Sequence, residues 1–384
     1  MRTLAGIDVL LTRKQDLLVG RRVGLFTNPT GVTRDLRSDI DALRSLPRTE
    51  LVALFGPEHG IRGNVQDGIA VASGLDRRTG LPVHSLYGPQ KRPTGEMLSD
   101  VDLLIYDMQD VGARFYTYLW TLYHVLFAAA ERGLEIIVLD RPNPLGGELV
   151  EGPMLDPAFA SFVGEYPIPI RYGLTAGELA TLFNQTAKAN LTVIPMEGWR
   201  RPAWYDRTGL AWVLPSPNMP TLDTAIVYPG TCLFEGTNLS EGRGTTKPFE
   251  FVGAPWVEAE DLAEALNRRR LPGVAFRPVY FTPTYSKFSG QQCGGVQLHV
   301  LDRALFRPVE AGLYLLSILS HMYPNRFSWL STSWEGKPPH FDLLMGTDTI
   351  RRQLEAGVPV PEIVESWQIG LKAFQEKRAG LFFY

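Results

Sequence analysis

Five short apolar runs in the first 140 residues constrain this chain more than any other feature. They are "VGLF" (23–26), "LVALF" (51–55), "PVHSLY" (82–87), "DLLIYD" (102–107) and "EIIVLD" (135–140). Each is nearly continuous rather than alternating, as expected of a strand covered on both faces. Helical stretches lie between them, including "RSDIDALRSL" (37–46) and "RFYTYLWTLYHVLFAAAERG" (114–133), the latter ending on Gly133 as a C-terminal cap. Alternating units of this kind predict an α/β fold with a doubly wound, mainly parallel sheet.

The texture changes after residue 140. Residues 141–255 are rich in Pro and Gly, with one clear helix, "TAGELATLFNQTAKA" (175–189), opened by a Thr175–Glu178 capping box. "LTVIPM" (191–196) and "TAIVYPG" (224–230) read as strands. From 256 a smaller α+β unit is expected, with a helix over 258–271 and strands near 276–281 and 293–300. Helices near 308–322, 343–356 and 361–378 complete it. The domains are therefore drawn as 1–255 and 256–384. At 384 residues, two domains are the ordinary expectation.

A net charge of −3 gives no electrostatic reason to expect nucleic acid as a partner. No window approaches ~18 consecutive apolar residues, so no membrane span is expected. The N-terminus lacks the apolar region of an export signal, interrupted as it is by Asp8, Arg13 and Lys14. The sequence as written reads as cytoplasmic; a preceding leader would make it periplasmic or secreted. The two cysteines, Cys232 and Cys293, form no CxxC and are expected to be separate buried thiols.

In an open α/β sheet, ligands bind beyond the carboxyl ends of the strands. Polar motifs follow those ends one after another: "TNPTG" (27–31), "GPEHGIRG" (56–63), "MQDVGARFYTY" (108–118) and "RPNPLGG" (141–147). "SPNMP" (216–220) and "FEGTNLSEGRGTTKPFE" (234–250) come later. Turn chemistry explains their glycines and prolines. It does not explain Asn28, Glu58, His59, Asp107, Gln109, Asp110, Arg114 and Asn143 all falling on one edge, which reads as an active-site rim. Asn218, Glu235, Asn238, Glu241 and Arg243 extend it from the later motifs. Tyr116, nearest a strand end, is the aromatic most able to reach a cleft.

Glu58 is the leading acid–base candidate. Pro57 stiffens its turn, Gly56 and Gly60 allow close approach, and an apolar strand end desolvates a carboxyl in the way a general acid needs. Glu241 is the first choice for a second carboxylate, with Glu235 and Asp110 behind it. Arg243 suits a planar carboxylate, or else an ion pair with Glu241 or Glu250. Arg114 could bind substrate or, equally, form a structural ion pair with Asp107 or Asp110. No GxGxxG, GxxxxGK[ST] or GxSxG occurs, so nucleotide cradles and acyl-transfer elbows are absent. No cofactor or metal is called for. What remains, amides, carboxylates, arginines and aromatics, suits sugars. The rivals are a non-catalytic sugar-binding protein and a metal-dependent hydrolase using Asp107, Asp110 and His59.

"LFTNPTG", "FGPEHGIRG", "YDMQDVGARFYTY", "LDRPNPLGG", "PSPNMP" and "FEGTNLSEGRGTTKPFE" together resemble the DUF1343 family, whose characterised members are exo-β-N-acetylmuramidases of the NamZ type. The likeness spans nearly the whole chain. It implies a Rossmann-like domain plus a smaller auxiliary domain, with the site in the cleft between them. The implied reaction releases N-acetylmuramic acid (MurNAc) from non-reducing ends of peptidoglycan-derived MurNAc-GlcNAc saccharides. The family's proposed catalytic glutamate falls on Glu58. The export signal common in the family is missing here.

Overall fold

A computed structural model of the chain describes residues 2–58, 60–63, 74–88, 90–332 and 335–384. Among these residues, the apolar runs become β1 (Arg22–Thr27), β2 (Glu50–Gly56), β4 (Pro82–Ser85), β5 (Leu103–Asp107) and β6 (Glu135–Leu139), with a short β3 (Gly74–Leu75) before β4. After a hairpin of β7 (Glu151–Met154) and β8 (Pro169–Arg171), β9 (Asn190–Ile194) completes a seven-stranded sheet in the order β3-β4-β2-β1-β5-β6-β9. All its pairings are parallel except β3 with β4.

Continuous apolar strands need two covers, and both are present. Val23, Leu25, Leu103 and Ile105 join one buried cluster with α1 (Gly6–Arg13) and α2 (Asp39–Arg44). Phe26, Leu104 and Tyr106 join the opposite cluster with α3 (Tyr118–Arg132) and α4 (Ala176–Ala187). The capping box of α4 is formed: Glu178 N donates to Thr175 Oγ1 at 3.3 Å, and Thr175 N to Glu178 Oε2 at 3.0 Å.

The stretch 224–230 corrects the strand expectation, because α5 (Leu222–Thr231) is a helix. Thr221 caps it at Thr224 N, and every residue from Thr224 to Thr231 is buried. A short apolar run buried all round fits a strand or a helix equally, and here the cap and the packing decide. A second, antiparallel sheet follows, of β10 (Phe251–Ala254), β11 (Val274–Phe281) and β12 (Cys293–Val300), with β12 central. Its helices are α6 (Ala259–Asn267), α7 (Pro308–Met322), α8 (His340–Met345), α9 (Thr349–Glu355), α10 (Val360–Ser366) and α11 (Gln368–Ala379). The helix expected over 343–356 is therefore two, parted at Gly346, whose φ of 75° is left-handed.

α5 packs on α7 with backbones in contact: a Cβ on Gly230 would lie 1.8 Å from the Pro308 carbonyl oxygen. β10 pairs with β12 along Phe251–Ala254. We propose on these grounds that the second unit begins ahead of α5, near residue 222, rather than at 256. The chain end then returns to the first unit. Arg378 donates to the Gly147 and Gly173 carbonyls at 2.9 Å each, and the Tyr384 hydroxyl to Asp140 at 2.7 Å. Cys232 and Cys293 are free and buried. Among the described residues no helix is long and apolar enough to cross a membrane.

Candidate active site

A cavity of about 390 Å³ draws its lining from both units. The first contributes Glu58, beyond the end of β2, Tyr87, beyond β4, and Phe115 to Tyr118, between β5 and α3. Asn218 precedes the second unit, which contributes Glu235, Glu241, Arg243, Lys287 and His340, among others. Of the residues picked from the sequence, Glu58, Tyr116, Asn218, Glu235, Glu241 and Arg243 meet here. His59 lies outside the described residues.

Glu58 is half-buried, and the Thr117 hydroxyl donates to its Oε2 at 3.0 Å. Burial pushes the Tyr118 phenol well above its ordinary range, and the negative charge of nearby Glu58 pushes it further. Tyr118 in turn donates to the Pro215 carbonyl and packs edge-on against Tyr116, ring centroids 4.9 Å apart. An alcohol, Thr117, and a phenol, Tyr118, are thus among the neighbours of Glu58.

The second unit supplies a charged wall. Arg243 Nη1 lies 2.7 Å from Glu235 Oε1 and 3.1 Å from Glu241 Oε1, and its guanidinium stacks over the Phe249 ring. Lys287 Nζ reaches the other oxygen of Glu241 at 3.0 Å and also donates to the Phe234 and Leu239 carbonyls. His340 Nε2 is 3.5 Å from Glu235 Oε2. Burial alone would raise the Glu235 carboxyl; Arg243 and His340 outweigh it and hold the group well below the usual carboxylate range. The turn bearing this wall needs its glycine: Gly242 has φ 81°, and a Cβ there would come within 2.8 Å of the Lys247 and Phe251 carbonyls. Glu250, the other partner considered for Arg243, instead pairs with Lys247 at 2.9 Å.

The other described residues read from the sequence as a rim do not line this cavity. Asp107 is buried in an ion pair with Arg141, at 2.5 and 2.8 Å, and not with Arg114. Asp110 accepts from Tyr172 and from Gly112 N, and burial pushes its carboxyl up to about 7. Gln109 ties the loops after β1, β5 and β6 together through Thr30 and the Pro142 carbonyl. Asn28 folds back onto Thr30 and abuts Tyr118 behind the cavity wall. Asn143 holds Leu145 N and the Leu174 carbonyl, and Asn238 the backbone of Arg326 and Ser328. These groups close loops against one another, Gln109 and Asn28 beside β1 and β5, Asn143 beyond β6 and Asn238 within the second unit. The open cavity lies toward β2 and β4 instead.

Arg114 has a different task from either one expected. Fully buried, with its basicity lowered to about 9 by desolvation, it donates to the carbonyls of Pro153, Ile168 and Leu344. Leu344 sits in the last turn of α8, where a cation is favoured. The first unit thereby grips the helix whose opposite end presents His340 to Glu235. Lys287 and His340, both missed from the sequence, stand alone in "YSKFS" and "PPHFD" with no local motif to mark them. Among the described residues no three His, Cys, Asp or Glu side chains converge as a metal site.

Family models of the exo-β-N-acetylmuramidase NamZ match this chain over residues 23–223, its N-terminal part, and 226–384, its C-terminal part. The chain belongs to the NamZ family. It is 50% identical to the peptidoglycan β-N-acetylmuramidase NamZ of Bacillus subtilis (strain 168) over 381 residues, 99% of this chain and 91% of that protein. Two crystal structures of DUF1343 family proteins from Bacteroides fragilis NCTC 9343 share the architecture. One has a TM-score of 0.91 at 40% identity, the other 0.79 at 31%, each over all of this chain and 99% of the other. The N-terminal model ends at residue 223 and the C-terminal one begins at 226, both within α5.

Proposed function

We propose that Glu58 is the proton donor of a glycosidase cavity in which Glu235, Glu241, Arg243 and Lys287 read the sugar. The reaction class comes with the family: the chain is a glycoside hydrolase, an exo-β-N-acetylmuramidase. Its substrates are read as peptidoglycan-derived MurNAc-GlcNAc saccharides, cut at the non-reducing MurNAc. The observation that carries the assignment is Glu58 held by Thr117 in one cavity with two cations and two further carboxylates.

The division of labour follows from charge. A general acid must approach its substrate with a proton, and Glu58 stands beyond the end of β2 with the neutral Thr117 hydroxyl on its Oε2. Glu235 is kept ionised by Arg243 and His340 and suits charge stabilisation rather than proton donation. Glu241, between Arg243 and Lys287, is oriented to meet a hydroxyl or the acetamide of the sugar. In the second case the acetamido oxygen itself can attack the anomeric carbon. Arg243 and Lys287 suit the lactyl carboxylate that distinguishes MurNAc from GlcNAc. The metal-dependent rival finds no support at Asp107, whose carboxylate Arg141 occupies on both oxygens.

A pair of chromogenic aryl glycosides, β-MurNAc and β-GlcNAc, tests the reading. Recognition of the lactyl charge is expected to favour MurNAc by about 10²-fold or more in kcat/KM, the usual worth of a desolvated charge pair. Arg243→Ala should narrow that ratio by about tenfold even though it disturbs both carboxylates. Equal rates on the two sugars, or a ratio untouched by the substitution, would remove Arg243 from substrate recognition.

A further inference from the structure

A second cavity of about 410 Å³ adjoins the first, with Phe162 common to both linings. The Phe162 ring lies between Tyr87 on the first cavity, centroids 5.9 Å apart, and the Lys91 amine, 4.2 Å away, on the second. Each cavity is near the small end of ligand sites, which run from ~300 to ~1,000 Å³, so each has room for about one substituted sugar ring. A disaccharide spanning the scissile bond needs both.

The linings differ in their cations: one has a guanidinium, the other amines alone. The catalytic cavity carries Arg243 and Lys287 beside its carboxylates, whereas the second balances two amines, Lys91 and Lys337, with two carboxylates, Glu165 and Glu335. Tyr123 and Phe162 supply apolar surface. Glu165 is tied to His124 at 3.0 Å, and burial, the largest influence on Lys91, lowers its basicity. A partly desolvated amine gains from an uncharged acceptor oxygen. Amines and carboxylates around an aromatic surface match the hydroxyls, acetamide and apolar face of a neutral amino sugar. We infer that this second cavity is the subsite for the leaving sugar, a neutral 2-acetamido pyranose joined through its hydroxyl to the MurNAc residue held beside Glu58. The inference rests on the glycosidase reading above.

The test compares a MurNAc aryl glycoside, which fills the catalytic cavity alone, with the disaccharide MurNAc-GlcNAc. Lys91→Met keeps the aliphatic stem and removes the amine; Phe162→Ala removes the shared wall. Lys91→Met is expected to lower kcat/KM on the disaccharide by about tenfold, the worth of one hydrogen bond from a charged donor, and to change the aryl glycoside by less than about twofold. Phe162→Ala should likewise penalise the disaccharide more than the aryl glycoside. Losses that run in parallel on both substrates, or no loss from either variant, would overturn the subsite. If the unaltered enzyme released MurNAc from neither substrate, the glycosidase reading would fall, and the subsite with it.

Discussion

Thr117 stands where α3 begins, yet its side chain makes no cap bond to that helix and spends its hydroxyl on Glu58. Thr117→Val should therefore cost little stability and about tenfold in kcat/KM, through loss of one orienting hydrogen bond. A donor to a carboxylate favours the ionised form, so its removal should also move the basic limb of the pH profile upward. Thr117→Ser should restore both; an unmoved limb with an intact rate would mean that Thr117 does not orient Glu58. At this scale the sequence was half legible. Glu58, Glu235, Glu241 and Arg243 were visible because charged groups in glycine-rich turns have no packing reason to be there. Asp107, Gln109, Asp110 and Asn143 carried the same signal. They serve loop closure, since a buried crevice between strands must satisfy its own backbone and charges. Which carboxylate meets a cation from the next loop and which meets substrate is a tertiary fact.

Among the elements, the parallel strands were plain because continuous apolar runs of that length have few other uses. α5 was not, because burial on every side erases the periodicity that separates helix from strand. Its contact with α7 is the tightest test of that correction. Gly230→Ala would set a methyl 1.8 Å from the Pro308 carbonyl, so the helices must part. A loss of at least ~2 kcal/mol is expected in urea unfolding, as for severe overpacking. An unchanged midpoint would mean that the helices do not meet there. The wall of Glu235, Glu241 and Arg243 follows α5 directly, so KM on the disaccharide should rise in the same variant.

The two units form one catalytic body, and buried ionisable groups join them. Glu151, in β7, accepts from Glu310 N at 2.9 Å in the first turn of α7, and burial pushes its carboxyl up to about 7. The native state thus holds this proton more tightly than the unfolded chain. The stabilisation is complete below the unfolded value of ~4.5 and is lost as pH rises through about 7. Urea midpoints of the wild type should fall between pH ~5 and ~8, and Glu151→Gln should flatten that fall, leaving the parallel contribution of Asp110. Identical slopes would free Glu151 from this role. The central claim is that this body is built around Glu58 as its acid, and leaving-group dependence tests it most directly. Glu58→Gln should be assayed on MurNAc-GlcNAc, whose sugar alkoxide needs a proton to depart, and on a MurNAc glycoside of a strongly acidic phenol, which does not. The account expects a loss of at least ~10²-fold on the disaccharide and a far smaller one on the aryl glycoside. More than half of wild-type turnover on the disaccharide, or equal losses on both substrates, would contradict it.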